Sequence, residues 1–273
     1  MKFKGTALMA AVFLSLVLYY FFVDLPALQK ENSEKELADK ILPLDAKKVV
    51  EFSLTRNGKP ITLRRTGPNN WGLTQPLSSP GDSTEAEAFI SEIEALKKTR
   101  VVEENPKDLS IYGLGSPFMK IHFNIENKTS ETLLIGDESP MGGGLYFKRE
   151  SQPAVMMALA SQSQFQKSVY NFRDKTLLSF STGNIKRIKI NREAHPLELV
   201  KKDDVWKVSG ALGAKGDKDA IMKFLQSIQF SKIQEFVDEN PDSLELYGLH
   251  PPKLKLILEN EKGETQTLAL GNP

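Results

Sequence analysis

Apolar and polar residues alternate along most of the chain after residue 46, and this alternation predicts antiparallel strands. Apolar side chains occupy every second position in the segments 50–54, 119–125 and 254–258, the pattern of a strand with one buried face. Asn57-Gly58 predicts a hairpin turn, because both residues tolerate a positive φ. Further strands are predicted at 61–63, 71–73, 133–135, 145–147, 155–157, 188–190, 197–199, 206–208 and 268–270.

Two segments have helical spacing instead. Asp82 and Asp217 are placed as N-caps that accept hydrogen bonds from first-turn amides, and Glu85 is expected to complete a capping box after Asp82. Apolar residues then recur every three or four positions, which predicts one buried face per helix. These residues are Ala86, Phe89, Ile90 and Ile93 in the first helix, and Ile221, Phe224, Leu225 and Ile228 in the second.

A short helical turn is predicted between each helix and the following strands. Asn105 is expected to cap this turn, Pro106 suits its first position, and Gly113 can end it in the left-handed conformation. Leu109 and Tyr112 are expected to face the same side. Another helix is expected at 161–168. The order β-β-β-α-turn-β-β-β-β predicts an α+β fold of mainly antiparallel sheet, and not a Rossmann alternation.

The chain contains an internal repeat with a constant offset of 135 residues. The segment 82–136 recurs without a gap as 217–271. This repetition predicts two tandem homologous modules. The shared positions are cap, turn and core types, so we interpret the repeat as encoding a fold and not a reaction site. They are Trp71, Asp82, Tyr112, Gly113, Leu114, Pro117 and Gly136, which match Trp206, Asp217, Tyr247, Gly248, Leu249, Pro252 and Gly271.

The N-terminus predicts a transmembrane anchor. Residues 5–23 carry no charge, and nineteen helical residues would span about 28 Å, close to the bilayer core. Lys2 and Lys4 before the span and Asp24 after it favour a cytoplasmic N-terminus. A cleaved signal peptide is the alternative, although no A-x-A-like site follows. Charges alternate in 31–40, which predicts a solvated helix or spacer.

The predicted organisation therefore has six parts. They are a cytoplasmic N-terminus at 1–4, an anchor at 5–23, a juxtamembrane linker at 24–45, a first module at 46–160, a helical connector at 161–182 and a second module at 183–273. The first module continues for 24 residues after Gly136, whereas only two residues follow Gly271. We therefore expect the second module to be truncated, so that the chain is a fragment or its last sheet has edges that need a partner strand.

Composition narrows the possible functions. The 273 residues carry a net charge of +1, which argues against a nucleic-acid-binding protein, and the absence of cysteine excludes disulfides and thiolate chemistry. The three histidines lack a second ligand at metal-binding spacing. Glu103-Glu104 and Asp238-Glu239 are interpreted as solvated acids, because adjacent strand residues point to opposite faces. No catalytic, cofactor-binding or metal-binding residue is predicted.

Three other features have structural interpretations. Residues 142–144 are all glycine, but a strand pattern follows them, so they predict a hairpin turn and not a phosphate loop. Trp71 and Trp206 lie in apolar patterns and are interpreted as core residues, with sugar stacking as the alternative. Phe118 and Met141 are candidates for an exposed partner patch.

These motifs together resemble the bacterial family known as domain of unknown function 4340. The resemblance covers nearly the whole chain, although the second copy lacks the Gln-Pro pair after its tryptophan and has Asn272 where the first copy has Asp137. The motifs that carry it, besides the anchor, are Trp71 with Gln75-Pro76, the Asp82 helix, Tyr112-Gly113-Leu114 with Pro117, Leu134-Ile135-Gly136-Asp137, Tyr146, Arg173-Asp174-Lys175 and Leu177-Leu178-Ser179-Phe180.

The resemblance implies a single-pass envelope protein, often associated with ABC-2-type transporters of the kind linked to gliding motility. It implies a partner and no reaction. The hypothesis is therefore a non-enzymatic accessory or adaptor protein, anchored in the bacterial inner membrane with its modules outside the cytoplasm. The alternative is an envelope module that binds a glycan or a lipid.

Overall fold

The computed structural model of the protein describes residues 3–140, 142–192, 195–210 and 214–272. The chain divides into two compact units, Met1–Asp174 and Lys175–Pro273. Unit 1 contains a nine-stranded sheet and unit 2 a five-stranded sheet, and every strand pair in both sheets is antiparallel. The predicted mixed helix and antiparallel-sheet composition is therefore confirmed.

The N-terminal segment is helical from Phe3 to Asp39. It comprises helix α1 (Phe3–Tyr19), a π-helical turn (Tyr20–Asp24) and helix α2 (Leu25–Asp39). Pro26 has no N–H to donate to the preceding turn. The π-helical turn just before it is wider than an α-helical turn and accommodates this missing hydrogen bond. The part from Val12 to Asp39 is long and apolar enough to cross a membrane, with a mean hydropathy of 1.7 in its apolar window. The helix also includes most of the predicted charged spacer.

Unit 1 contains a single antiparallel sheet, and the helices that carry Phe89, Phe165 and Phe172 pack on one of its faces. The sheet order is β4-β3-β2-β1-β6-β7-β8-β9-β5. The elements are β1 (Val49–Arg56), β2 (Lys59–Gly67), β3 (Asn70–Gln75), β4 (Ser79–Pro80), α3 (Ser83–Ala95), β5 (Arg100–Glu103), β6 (Met119–Ile125), β7 (Thr129–Glu138), β8 (Leu145–Arg149), β9 (Val155–Ala158), α4 (Gln162–Phe165) and α5 (Val169–Phe172).

An aromatic cluster centred on Phe52 forms the middle of the main core. Phe52 is fully buried, with its ring centroid 5.3 Å from that of Trp71 and 5.7 Å from that of Phe89. The rings of Phe123 and Phe172 complete the cluster at 6.3 and 5.7 Å. All four predicted apolar residues of α3 are buried, so the helical stripe predicted in this unit is confirmed.

A second, smaller core lies on the other face of the same sheet. Leu134, Tyr146 and Met157 alternate with residues of the main core and so point away from it. Partly buried Leu109 and Tyr112 pack against them, which confirms that these two residues face the same side. The strands β7, β8 and β9 are therefore covered on both faces.

Several local predictions for unit 1 were wrong. Val50 was expected to face inward with Phe52, but a register shift between Val49 and Glu51 turns it outward, and it is 37% exposed. The strands β4 and β5 were not predicted, because they are short and lack alternation. The helix expected at 161–168 is only the four-residue α4. The Asn57-Gly58 hairpin is confirmed, with both residues at positive φ.

Asp82 caps α3 as predicted, but Glu85 does not complete a capping box. The Asp82 carboxylate accepts a hydrogen bond from the Glu85 amide at 3.1 Å. The Asp82 amide instead donates to the Phe172 carbonyl at 2.8 Å, and the Glu85 side chain pairs with Lys167 at 2.6 Å. Tertiary partners therefore take both interactions that the local motif predicted.

Unit 2 has a smaller sheet of the same antiparallel type, in the order β12-β11-β10-β13-β14. Asp217 caps its helix through the amides of Asp219 and Ala220. Phe224 was predicted to face the core, but it is 38% exposed, whereas Ile221 and Leu225 are buried. The elements are β10 (Ile185–Arg192), β11 (Leu197–Lys202), β12 (Val205–Val208), α6 (Lys218–Phe230), β13 (Leu254–Asn260) and β14 (Thr265–Leu270).

Candidate functional site

The Tyr-Gly-Leu motif of unit 1 forms a tight turn over the small core. A 3₁₀ turn spans Ser110–Tyr112, and Gly113 ends it at φ 65°. The Asp108 carboxylate accepts hydrogen bonds from the Ser110 hydroxyl and amide at 2.6 and 2.8 Å, which lower the pKa of Asp108. Asn105 and Pro106, which were predicted to begin the turn, lie before it and do not cap it.

This turn is seated against strand β7 by close backbone contacts. A Cβ atom at Gly136 would overlap the Tyr112 carbonyl oxygen and lie 3.0 Å from Cγ of Leu114. A Cβ at Gly113 would collide with the Asp137 carboxyl group. The family glycines are therefore needed for close approach as well as for conformation. Leu114 itself is buried in the small core.

A tyrosine–carboxylate hydrogen bond fixes the same turn. The Tyr112 hydroxyl donates to Glu103 on β5 at 2.7 Å, and its ring packs edge-on against Tyr146 at 5.0 Å. The hydrogen bond to Glu103, together with desolvation, raises the pKa of Tyr112. The interpretation of Glu103 as a solvated acid was therefore wrong. Nothing in the local sequence indicated that the turn would bring Tyr112 back to it.

Unit 2 shows the same arrangement at the positions 135 residues later. A 3₁₀ turn spans Leu244–Tyr247, and Gly248 ends it at φ 62°. A Cβ at Gly271 would overlap the Tyr247 carbonyl oxygen, and Asn272 lies against Gly248. The Tyr247 hydroxyl donates to Asp238 at 3.0 Å, which raises the pKa of Tyr247. Asn272 in place of Asp137 therefore preserves the contact with the glycine but removes the charge.

Both turns present a large aliphatic side chain to solvent at the same position. Ile111 is 65% exposed, and Leu246, at the matching position, is 81% exposed. Both side chains project from turns that are held by a tyrosine–carboxylate hydrogen bond and a closely packed glycine. We call Ile111 and Leu246 the turn tips. The sequence comparison aligned these residues but gave no sign that they would be exposed.

The two tryptophans are core residues, as predicted, and are unavailable for sugar stacking. Trp71 is 2% exposed and Trp206 is 3% exposed. The Trp71 indole N–H donates a hydrogen bond to the Glu87 carboxylate at 2.8 Å. The Arg65 guanidinium lies over the Trp71 ring, 4.6 Å from its centroid, and donates a hydrogen bond to the same carboxylate. This cluster was not predicted, because it joins residues of three different elements: Arg65 lies on β2, Trp71 on β3 and Glu87 on α3.

The remaining candidate positions are the three histidines and the triple glycine at 142–144. His122 is half-buried and hydrogen-bonded to Thr132 and Asn124, whereas His195 and His250 are exposed. The described part of the chain contains no group of three or more histidine, aspartate or glutamate residues arranged to hold a metal. Gly142–Gly144 link β7 to β8 at positive φ, so the predicted hairpin turn is confirmed.

Other family-motif positions lie at junctions or beside strands. Arg173 forms an isolated bridge with Gly81, and Leu178 and Phe180 pack against the core of unit 2. Pro117 and Pro252 are half-buried just before β6 and β13, and Leu249 is half-buried too. Phe118, a predicted patch residue, is half-buried beneath the Arg56 guanidinium at 4.5 Å. Met141 lies outside the described residues.

Two depressions in the surface are lined by both apolar and basic side chains. Unit 1 has a cavity of about 220 Å³. Its apolar floor includes Leu54 and Met119, and the basic residues Arg56, Lys59 and Lys167 surround it. Unit 2 has a larger, open groove of about 1170 Å³ at one end of β13 and β14. The residues that line this groove are Arg192, Pro251, Lys253, Leu254, Leu270, Gly271 and Asn272.

Comparison with known proteins identifies one family. The family model described as "Domain of unknown function (DUF4340)" matches residues 71–211 and, separately, residues 206–273. No curated protein and no solved structure gives a significant match to the chain.

Proposed function

The chain belongs to the DUF4340 family, and from that premise we propose that it is a non-enzymatic, membrane-anchored adaptor built from two tandem homologous modules. The two turn tips carry this proposal. Contact of these two side chains with another protein would remove their apolar surface from water, which favours association. The matched contacts of the two turns, and the two separate family matches, support a common origin of the modules.

The N-terminal helix supports the membrane location of the adaptor. Its apolar part would hold both modules close to the bilayer, which raises their effective concentration near a membrane partner. Lysines precede the apolar run and Asp24 follows it, so we propose a cytoplasmic N-terminus and extracytoplasmic modules in a bacterial inner membrane. The family resemblance suggests an ABC-2-type transporter subunit as the partner.

Affinity purification of the full chain from native membranes, followed by mass spectrometry, tests this proposal. Wild type is expected to enrich a transporter permease over a control carrying the anchor alone. The double variant Ile111→Asp with Leu246→Asp should lose most of this enrichment, because both tips become charged. Leu159→Asp is the matched control, since Leu159 is equally exposed, at 72%, but lies outside the turns. Enrichment of no membrane protein would refute the adaptor function.

A second candidate function is favoured by the unit 1 cavity. Its apolar floor and the two cations Arg56 and Lys59 suit the headgroup and first carbons of an anionic lipid, whereas Lys167 is paired with Glu85. Lipid extraction from the purified protein should then recover an anionic lipid, and Arg56→Glu with Lys59→Glu should reduce its amount. Equal recovery from the variant and wild type would eliminate this candidate.

A further inference from the structure

Helix α2 follows the apolar N-terminal segment directly and is polar through its middle. Residues 29–36 include no apolar residue, so about two helical turns are polar on every side. Leu25 is half-buried, and the other side chains described for α2 are exposed. Such a helix has no apolar face to lie on a bilayer or to pair with another helix. We therefore place α2 in water, between the membrane and the rest of unit 1.

Ion pairs within α2 stabilise it although no other element packs on its middle. The Lys35 ammonium lies 2.7 Å from the Glu31 carboxylate. Lys30 and Glu34 are 3.9 Å apart. Both pairs have i,i+4 spacing, so each joins two successive turns of the helix. α2 also extends the helix that begins at Phe3 and needs no nucleus of its own.

The C-terminal end of α2 is attached directly to the globular part of unit 1, which we define as residues 41–174. The Asp39 carbonyl accepts a hydrogen bond from the Lys98 amide at 2.8 Å. The Ile41 amide donates to the Leu96 carbonyl at 2.9 Å. Ile41 and Leu42 are fully buried in the main core. Hydrogen bonding to the globular part therefore begins at the last residue of the helix, which leaves no flexible linker between them.

We infer that α2 is a rigid spacer that sets the height and the direction of the globular part of unit 1 above the bilayer. Its 15 residues rise about 22 Å. The partner that fits this geometry is a membrane protein with a folded region that projects from the bilayer on the same side. Binding to it depends on the length of the spacer, because a longer helix moves the globular part away from the contact site. This inference rests on the proposed adaptor function and adds a geometric requirement to it.

Distances between spin labels measure the rigidity of the spacer. The chain has no cysteine, so Ala27→Cys with Lys120→Cys gives one labelled pair, with one label on α2 and the other on β6. The otherwise unchanged chain in nanodiscs should give a narrow distance distribution. Replacement of residues 29–36 by glycine and serine should broaden it, because such a segment is a flexible coil. Equally broad distributions with and without the replacement would overturn the inference.

Duplication of part of the helix tests what the spacer does. A second copy of residues 29–35, placed after Lys35, keeps the i,i+4 spacing of charges. These seven residues add about 10 Å and change the helical phase by only about 20°. The distance between the two spin labels should lengthen. In the purification from native membranes, this longer chain should enrich the partner several-fold less than wild type does.

Reversal of one ion pair is the matched control. Glu31→Lys with Lys35→Glu keeps the length of the helix and the pairing of opposite charges, so enrichment should equal that of wild type. Loss of enrichment in this variant would mean that the side chains of α2 contact the partner themselves, which would overturn the assignment of α2 as a spacer.

The same purification separates this inference from the proposed function. If wild type enriches a partner and the chain with the duplicated segment enriches it equally, the adaptor function stands and the spacer fails. If wild type enriches nothing, the adaptor function fails, and the spin-label distances still decide whether α2 is rigid.

Discussion

Gly136→Ala should destabilise unit 1 by forcing the Tyr-Gly-Leu turn away from β7. The added methyl group would overlap the Tyr112 carbonyl oxygen and lie 3.0 and 3.2 Å from Cγ and Cδ2 of Leu114. Leu114 is buried and the carbonyl is backbone, so neither can move aside without displacing the turn. Overpacking of this kind costs about 1–3 kcal/mol. The displacement also separates the Tyr112 hydroxyl from Glu103.

Urea unfolding of the full chain in nanodiscs, followed by tryptophan fluorescence, measures this cost. A Trp206→Phe background leaves Trp71 as the single tryptophan, so the signal reports unit 1 alone. With an m-value of about 1–3 kcal/mol/M, the midpoint should fall by about 1 M. Gly115→Ala is the matched control in the same turn, because its Cβ would make only ordinary contacts at 3.6 Å.

Two outcomes would contradict the reasoning. Equal midpoints for Gly136→Ala and Gly115→Ala would mean that the turn is not seated tightly on β7. A large loss in both variants would mean that the turn tolerates no side chain at either position, so that the specific overlap with Tyr112 is not the cause.

Three further predictions concern unit 1. Phe52→Ala should cost about 3–5 kcal/mol in the same assay. Leu159→Ala, at a 72% exposed position of unit 1, should cost little, and similar losses in the two variants would refute the central place of Phe52. Asp82→Ala should cost about 1 kcal/mol through loss of the N-cap, and Asp82→Asn should restore most of it. The raised pKa of Tyr112 predicts a stability contribution that is complete below about pH 10 and lost as pH rises through the folded-state pKa. Tyr112→Phe should remove this alkaline dependence, and an unchanged profile would exclude the hydrogen bond to Glu103 as its source.

Most helices and strands could be predicted, because the sequence features that indicate them lie within one turn or a few residues of each other. Asp82 caps the amide three residues later, and Asn57-Gly58 closes the hairpin between adjacent strands. Trp71 lies in an alternating apolar pattern and is buried, as that pattern predicted. Each of these outcomes depends on backbone conformation and burial periodicity, which neighbouring residues largely specify.

The candidate surfaces were much less predictable. The repeat aligned Ile111 with Leu246 and suggested an unfinished second module, but it did not show which side chains are exposed. Burial of Phe224 was wrongly predicted for the same reason: helical spacing identifies a face, whereas the amount of sheet that covers the face decides exposure.

The sequence by itself determined most of the strands, the two helices capped by Asp82 and Asp217, the apolar N-terminal segment and the 135-residue correspondence, since all of these follow from local spacing or direct comparison. Only the tertiary structure decided which distant groups meet. Glu85 pairs with Lys167, and Glu103 holds Tyr112, because the path of the chain brings them within hydrogen-bonding distance. Hydrogen bonds act over about 3 Å, so a partner that is remote in sequence becomes identifiable only when the fold places it there.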